Sequence, residues 1–116
     1  MSFHDGDLET LGFKNSFLPS VLNLADIAIK NGIDGIICSP NEVKSIREKL
    51  GSEFYIATPG IRLRDDDRGD QKRISTPYTA IKDGADFIIV GRSITAKANL
   101  EETIKKIFQE IEGALV

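Results

Sequence analysis

The sequence contains no tryptophan, and only one cysteine, one methionine and one histidine among its 116 residues. With Cys38 alone, no internal disulfide is possible, which excludes the stapled scaffolds of small secreted domains. His4 has no nucleophile or ligand partner near it and reads as a surface residue, so neither a metal site nor a cofactor is expected. No apolar run approaches the roughly 18 residues that a membrane helix requires. A basic excess is also missing. Fifteen Lys and Arg stand against 18 Asp and Glu, a net charge of −3 with both signs interspersed, which argues against a nucleic-acid surface. Met1-Ser2-Phe3-His4-Asp5 has neither the basic nor the apolar stretch of a secretory leader, so a cytoplasmic protein is expected. Internal repeats and low-complexity linkers are absent as well.

What is present suits one domain with one modest core: 41% hydrophobic residues, 28% charged, ten Gly and four Pro. Three apolar runs stand out, Gly35-Ile36-Ile37-Cys38, Phe54-Tyr55-Ile56-Ala57 and Phe87-Ile88-Ile89-Val90. Each is continuous rather than alternating, as expected of parallel strands covered on both faces. Helical patterns separate them. Val21, Leu22, Ala25, Ala28 and Ile29 mark a helix over 19–30 that stops at Gly32. Ser39-Pro40-Asn41-Glu42 combines a capping box with proline at the first helical position; Val43, Ile46 and Leu50 share one face, and Gly51 ends the helix. Thr76-Pro77 opens another that stops near Gly84. Asn99 with Glu102 caps a last one, whose apolar stripe is Leu100, Ile104, Ile107, Phe108, Ile111 and Leu115.

Alternating helix and strand means βα units and a parallel sheet. Three parallel strands are few, because such a sheet is normally enclosed and this one leaves two edges unpaired. The long irregular stretch over 60–75 is charged and rich in Arg and Asp, and loops of that length within βα units are usually functional or disordered.

Segments from all three regions resemble the bacterial orotidine 5'-monophosphate decarboxylases in order and spacing. They are Gly35-Ile36-Ile37-Cys38-Ser39; Ala57-Thr58-Pro59-Gly60-Ile61-Arg62 followed by Gly69-Asp70-Gln71-Lys72-Arg73; and Asp86-Phe87-Ile88-Ile89-Val90-Gly91-Arg92-Ser93-Ile94-Thr95. Ser2-Phe3 looks like the end of that family's fifth strand. The resemblance implies an α/β fold, the C-terminal half of a (β/α)8 TIM barrel, with the three strands as the sixth, seventh and eighth. Residues 1–116 would form a single partial-barrel domain, and 60–75 a phosphate-gripping loop within it.

In such barrels the loops after strands seven and eight commonly hold a phosphate. Val90-Gly91-Arg92-Ser93 offers a glycine over which a phosphate can approach, backbone N–H groups, and a guanidinium suited to bidentate contact. The blander reading is a glycine easing packing beside a solvated arginine; the resemblance implies phosphate binding for Gly91 and Arg92. It also implies that Arg62 points from the end of a strand toward the mouth, and that Gln71 reaches both phosphate and pyrimidine. A neutral amide suits that double role. Ser2 matches a serine that hydrogen-bonds the pyrimidine, and Pro59 is placed to bring backbone near the base, although it could simply end a strand. Arg64, Asp65, Asp66, Asp67, Arg68, Lys72 and Arg73 read as a solvated lid surface, and Cys38 as core.

The resemblance also shows what this sequence does not contain. Family decarboxylation rests on a Lys and an Asp-Xaa-Lys-Xaa-Xaa-Asp array at the ends of the second and third strands. The only Asp-Xaa-Lys here is Asp70-Gln71-Lys72, with Ser75 where the second Asp should fall. No catalytic residue is therefore expected, and the chain alone should be inactive toward the nucleotide monophosphates OMP and UMP that it is expected to bind. Two alternatives stay open: a sugar-phosphate decarboxylase or aldolase of the same barrel, with a similar phosphate grip and a Mg²⁺, or a non-catalytic phosphate-binding half-barrel. The open edges and an interior face formed by Ile36, Cys38, Tyr55, Ala57, Ile88 and Val90 lead to the expectation of a homo-oligomer or a complementary N-terminal half-barrel.

Overall fold

The computed structural model describes residues 17–63, 75–95 and 98–116, with the side chains of Phe17, Arg92 and Ser93 outside that description. In chain order the elements are α1 (Phe17–Lys30), β1 (Gly35–Ile37), α2 (Pro40–Leu50), β2 (Tyr55–Thr58), α3 (Pro77–Asp83), β3 (Phe87–Ile88), α4 (Arg92–Thr95) and α5 (Leu100–Leu115). The strands form one parallel sheet in the order β1-β2-β3. Gly35 pairs with Tyr55, Ile37 with Ala57, and Ala57 in turn with Phe87. Each strand lies within a residue or two of its apolar run; the one-turn helix α4 has no counterpart in the sequence reading.

Local chemistry sets the helix ends. Ser39 Oγ accepts from Asn41 N at 3.4 Å, while Glu42 N turns to the Ser39 carbonyl at 3.0 Å and the Glu42 side chain is buried. The Ser39 side chain thus caps the second helical amide, one position before the third amide that the expected box would pair. Thr76 Oγ1 accepts from Thr79 N at 3.2 Å and Asn99 Oδ1 from Glu102 N at 3.1 Å, each covering an amide the helix itself leaves unpaired.

All the longer helices lie on one side of the sheet. Ile36, Cys38, Ile56, Ile88 and Val90 pack there against Val43 and Ile46 of α2, Ala80 of α3, and Val21, Leu22 and Ile29 of α1. The other face is open: Ile37, Tyr55 and Phe87 are 66%, 60% and 57% exposed, with the two rings 5.8 Å apart. The expected interior face is therefore right for Tyr55 and Ala57 and wrong for Ile36, Cys38, Ile88 and Val90, whose place on that face is taken by Ile37, Phe87 and Ile89. A continuous apolar run carries no phase, and one residue of slip exchanges the faces. The α5 stripe needs a similar correction. Ile107 is buried with Thr103 and Ala114, whereas Leu100, Phe108 and Leu115 remain exposed.

At the N-terminal ends of the strands, Arg47 of α2 gathers four backbone or carboxylate oxygens. Its Nε donates to Gly84 O at 2.8 Å, Nη1 to Phe54 O at 2.8 Å and Gly51 O at 3.3 Å, and Nη2 to Asp86 Oδ2 at 2.6 Å. Asp86 Oδ2 also accepts from Ile56 N at 2.9 Å, and the guanidinium sits 5.0 Å from the centre of the Phe54 ring. Gly84 completes the fit. Its φ is +119°, and a Cβ there would stand 2.7 Å from Arg47 Cγ, so any side chain would be both strained and obstructed.

Arg47→Ala removes the donor to two part-buried carbonyls and two exposed oxygens at once and should lower stability by about 1–3 kcal/mol. Lys105→Ala removes only an exposed pair with Glu101 and should cost under about 0.5 kcal/mol. Urea unfolding of both variants measures the contrast.

Candidate functional site

The C-terminal ends of the strands are tied together by Thr58, which is fully buried. Its Oγ1 donates to Cys38 O at 2.7 Å, joining the ends of β1 and β2, and its carbonyl accepts from Ile89 N at 2.9 Å, joining β2 to β3. Cys38 is core, 4% exposed, as expected. A hydroxyl inside an apolar layer needs an acceptor, and that requirement is the signal by which Thr58 could have been singled out.

Two turns leave this end side by side. The first is Pro59-Gly60-Ile61, in which Pro59 is half-buried and its carbonyl lies 3.3 Å from Thr58 Oγ1. Gly60 turns the chain with φ +76°. Beyond it the backbone meets the returning end of the long loop: Ile61 pairs with Ser75 in a parallel bridge, Arg62 N donates to Ser75 O at 2.9 Å, and Ser75 N to Gly60 O at 3.1 Å. Ile61 and Leu63 are buried, so the loop stands on a closed, apolar base. Arg62 belongs to that base. It is 6% exposed, and Nη1 donates to the Ile61 carbonyl at 2.8 Å, a more enclosed position than an arginine at an open mouth.

The second turn is Val90-Gly91. The Gly91 carbonyl accepts from Ile94 N at 2.9 Å, Thr95 N at 3.0 Å and Thr95 Oγ1 at 3.2 Å, so it starts α4. Gly91 does not need a positive φ, and a Cβ built on it would meet nothing within 4 Å. Among the described residues, therefore, nothing packs over this glycine, and the space above its Cα is open. Arg92 begins α4, with its side chain outside the described residues. Ser2 and Gln71 also lie outside the described residues, as do 64–74 generally. Of the expected site, the structure thus brings Pro59, Arg62, Gly91 and the Arg92 backbone to one end of the sheet. Among the described residues no group of His, Cys, Asp and Glu is arranged to hold a metal ion, and no helix is long and apolar enough to cross a membrane.

The family model described as "Orotidine 5'-phosphate decarboxylase / HUMPS family" matches residues 6–107. The orotidine 5'-phosphate decarboxylase of Fusobacterium nucleatum is 50% identical over 99 residues, covering 83% of this chain and 42% of that protein. That of Mannheimia succiniciproducens is 42% identical over 114 residues, covering 98% of this chain and 49% of that protein. Among solved structures, the orotidine 5'-phosphate decarboxylase of Lactobacillus acidophilus superposes with a TM-score of 0.76 at 33% identity, over 94% of this chain and 44% of its own. The Pyrococcus horikoshii enzyme gives 0.65 at 31% identity, over 82% and 43%. The chain thus spans about half the length of the curated relatives it matches, and its three-stranded sheet with its helices is a partial TIM barrel.

Gly91→Ala places a methyl group in open space on unstrained backbone. It should shift the urea midpoint by less than the equivalent of about 0.5 kcal/mol, whereas Gly84→Ala should destabilise measurably in the same experiment.

Proposed function

Because the chain belongs to the orotidine 5'-phosphate decarboxylase / HUMPS family, we propose that it serves the conversion of orotidine 5'-monophosphate to uridine 5'-monophosphate and CO2. Its part in that reaction is to hold the nucleotide's phosphate. The observation that carries the reading is the convergence of Pro59-Gly60 and Val90-Gly91 at one end of the sheet, with free space over Gly91. A phosphate seated there approaches the Gly91 backbone and is neutralised by Arg92 as a charge-assisted, bidentate partner. Arg62, at the base of the loop, adds positive charge from below. Gln71 reaches in from the loop toward phosphate and pyrimidine, and Ser2 and Pro59 face the base. The role belongs to pyrimidine biosynthesis and to the cytoplasm.

Electrostatic stabilisation of the carbanion, which drives decarboxylation, requires the Lys and Asp array that this sequence does not contain. The chain is thus a binding half whose chemistry depends on other residues, which a second copy of the same sequence cannot supply and a complementary half-barrel can. Relatives at 38 to 50% identity carry the decarboxylase name, which disfavours the sugar-phosphate alternative.

Two measurements test this reading. The purified chain should show no decarboxylation of orotidine 5'-monophosphate above background; turnover by the chain alone would overturn the assignment of the chemistry to other residues. In calorimetric titration with uridine 5'-monophosphate, Arg92→Ala should weaken binding about 10- to 100-fold, the equivalent of about 1.5–3 kcal/mol, while Arg64→Ala changes little. Equal losses in the two variants would count against the placement.

A further inference from the structure

The ladder between β1 and β2 is regular up to its last rung. In a parallel pair the strands donate to each other in alternation, with evenly spaced bonds. Tyr55 N donates to Asp34 O at 3.0 Å, and Cys38 N to Ala57 O at 3.2 Å. Four residues beyond the Tyr55–Asp34 bond on both strands, the same register calls for an N–H at position 59 donating to Cys38 O. Position 59 is proline, which has no N–H. The bond comes from one residue earlier instead, where Thr58 Oγ1 donates to Cys38 O at 2.7 Å. The Pro59 carbonyl, 3.3 Å from the same hydroxyl, is the longer contact, so the single hydroxyl proton lies toward Cys38 O.

Thr58 also holds the other neighbour. Its carbonyl accepts from Ile89 N at 2.9 Å, two positions before Gly91. Beyond this point the strands part. Gly60 O accepts from Ser75 N at 3.1 Å as the chain enters the loop base, while the Gly91 carbonyl starts α4. Among the described bonds, Thr58 is the last residue through which β2 holds both β1 and β3. Pro59-Gly60 and Val90-Gly91 diverge from it.

We infer that Thr58 is a positioning residue for the nucleotide site, its hydroxyl supplying the ladder bond that Pro59 cannot make. The ligand in this inference rests on the function proposed above; the ladder argument stands on the backbone alone. Thr58 is fully buried, so it acts through its neighbours and not by contact with a nucleotide. Proline fixes the backbone angle of the turn at the cost of one rung, and the threonine before it restores that rung. A valine would fill the same apolar layer with no hydroxyl to satisfy, so packing alone does not account for threonine here. With the rung in place, the end of β1 and the two turns keep one spacing.

Amide hydrogen exchange and calorimetric titration with uridine 5'-monophosphate, both on the purified chain, test the inference. Thr58→Val keeps the shape and removes the donor; exchange at Cys38 and Ile89 should quicken about tenfold, and binding should weaken about tenfold. Thr58→Ser keeps the hydroxyl and should hold both quantities within about twofold of the parent. Pro59→Ala returns an N–H to position 59, so in the Thr58→Val background it should restore slow exchange, a rescue that lost packing would not show. Should Thr58→Val fail to fold, the double variant decides: regained folding supports the inference, and continued unfolding overturns it. Unchanged exchange in Thr58→Val, or no rescue by Pro59→Ala, would also overturn it, as would quickened exchange with unaltered nucleotide binding. A parent chain that binds no uridine 5'-monophosphate, with variants that follow the exchange pattern, would support the substitution of hydroxyl for amide and count against the proposed function instead.

Discussion

The arrangement of the sheet depends on one guanidinium. β3 is only two residues long, and so short a ladder holds its neighbour weakly. Arg47 compensates by binding the start of β2 through Phe54 O, the end of α3 through Gly84 O, and the start of β3 through Asp86. Asp86 in turn accepts from Ile56 N, so a side chain and the backbone ladder specify the same register. Because the candidate site is built from the opposite ends of these strands, a slip at the Arg47 end would separate Pro59 from Gly91. Thr58 performs the matching task there, holding the Cys38 carbonyl. Both strand ends are therefore fixed by side chains reaching across the sheet.

Features whose cause is local were legible in the sequence. Thr76, Asn99, Gly51 and Gly84 act on residues within one turn of themselves, and each marks a helix end as expected. The direction in which each strand faces was not legible, because Gly35-Ile36-Ile37-Cys38 is apolar at every position but one and either phase satisfies it. Only the packing of Val43 and Ile46 selects Ile36 and Cys38 for the helical side. The α5 stripe misled for a related reason. Its apolar residues serve two surfaces, of which the described residues cover one.

The candidate site divides in the same way. Pro59, Gly91 and Arg92 are announced by short motifs, and the structure places those motifs together. The pairing of Arg47 with Asp86, 39 positions apart, and the bridge between Ile61 and Ser75 join residues distant in sequence, and no spacing in the chain announces them. Arg62, 6% exposed, lies beside that bridge, its backbone N–H on the Ser75 carbonyl.

The closed base at Ile61 and Ser75 also bears on how such a protein can change over time. A loop whose two ends already meet exerts no pull on the sheet, whatever number of residues it contains. Doubling its length adds only about 0.6 kcal/mol of closure entropy. Insertions, deletions and charge changes between Leu63 and Ser75 can therefore accumulate while the spacing of Pro59 and Gly91 stays constant, so that the specificity of the mouth and the stability of the barrel are free to evolve separately.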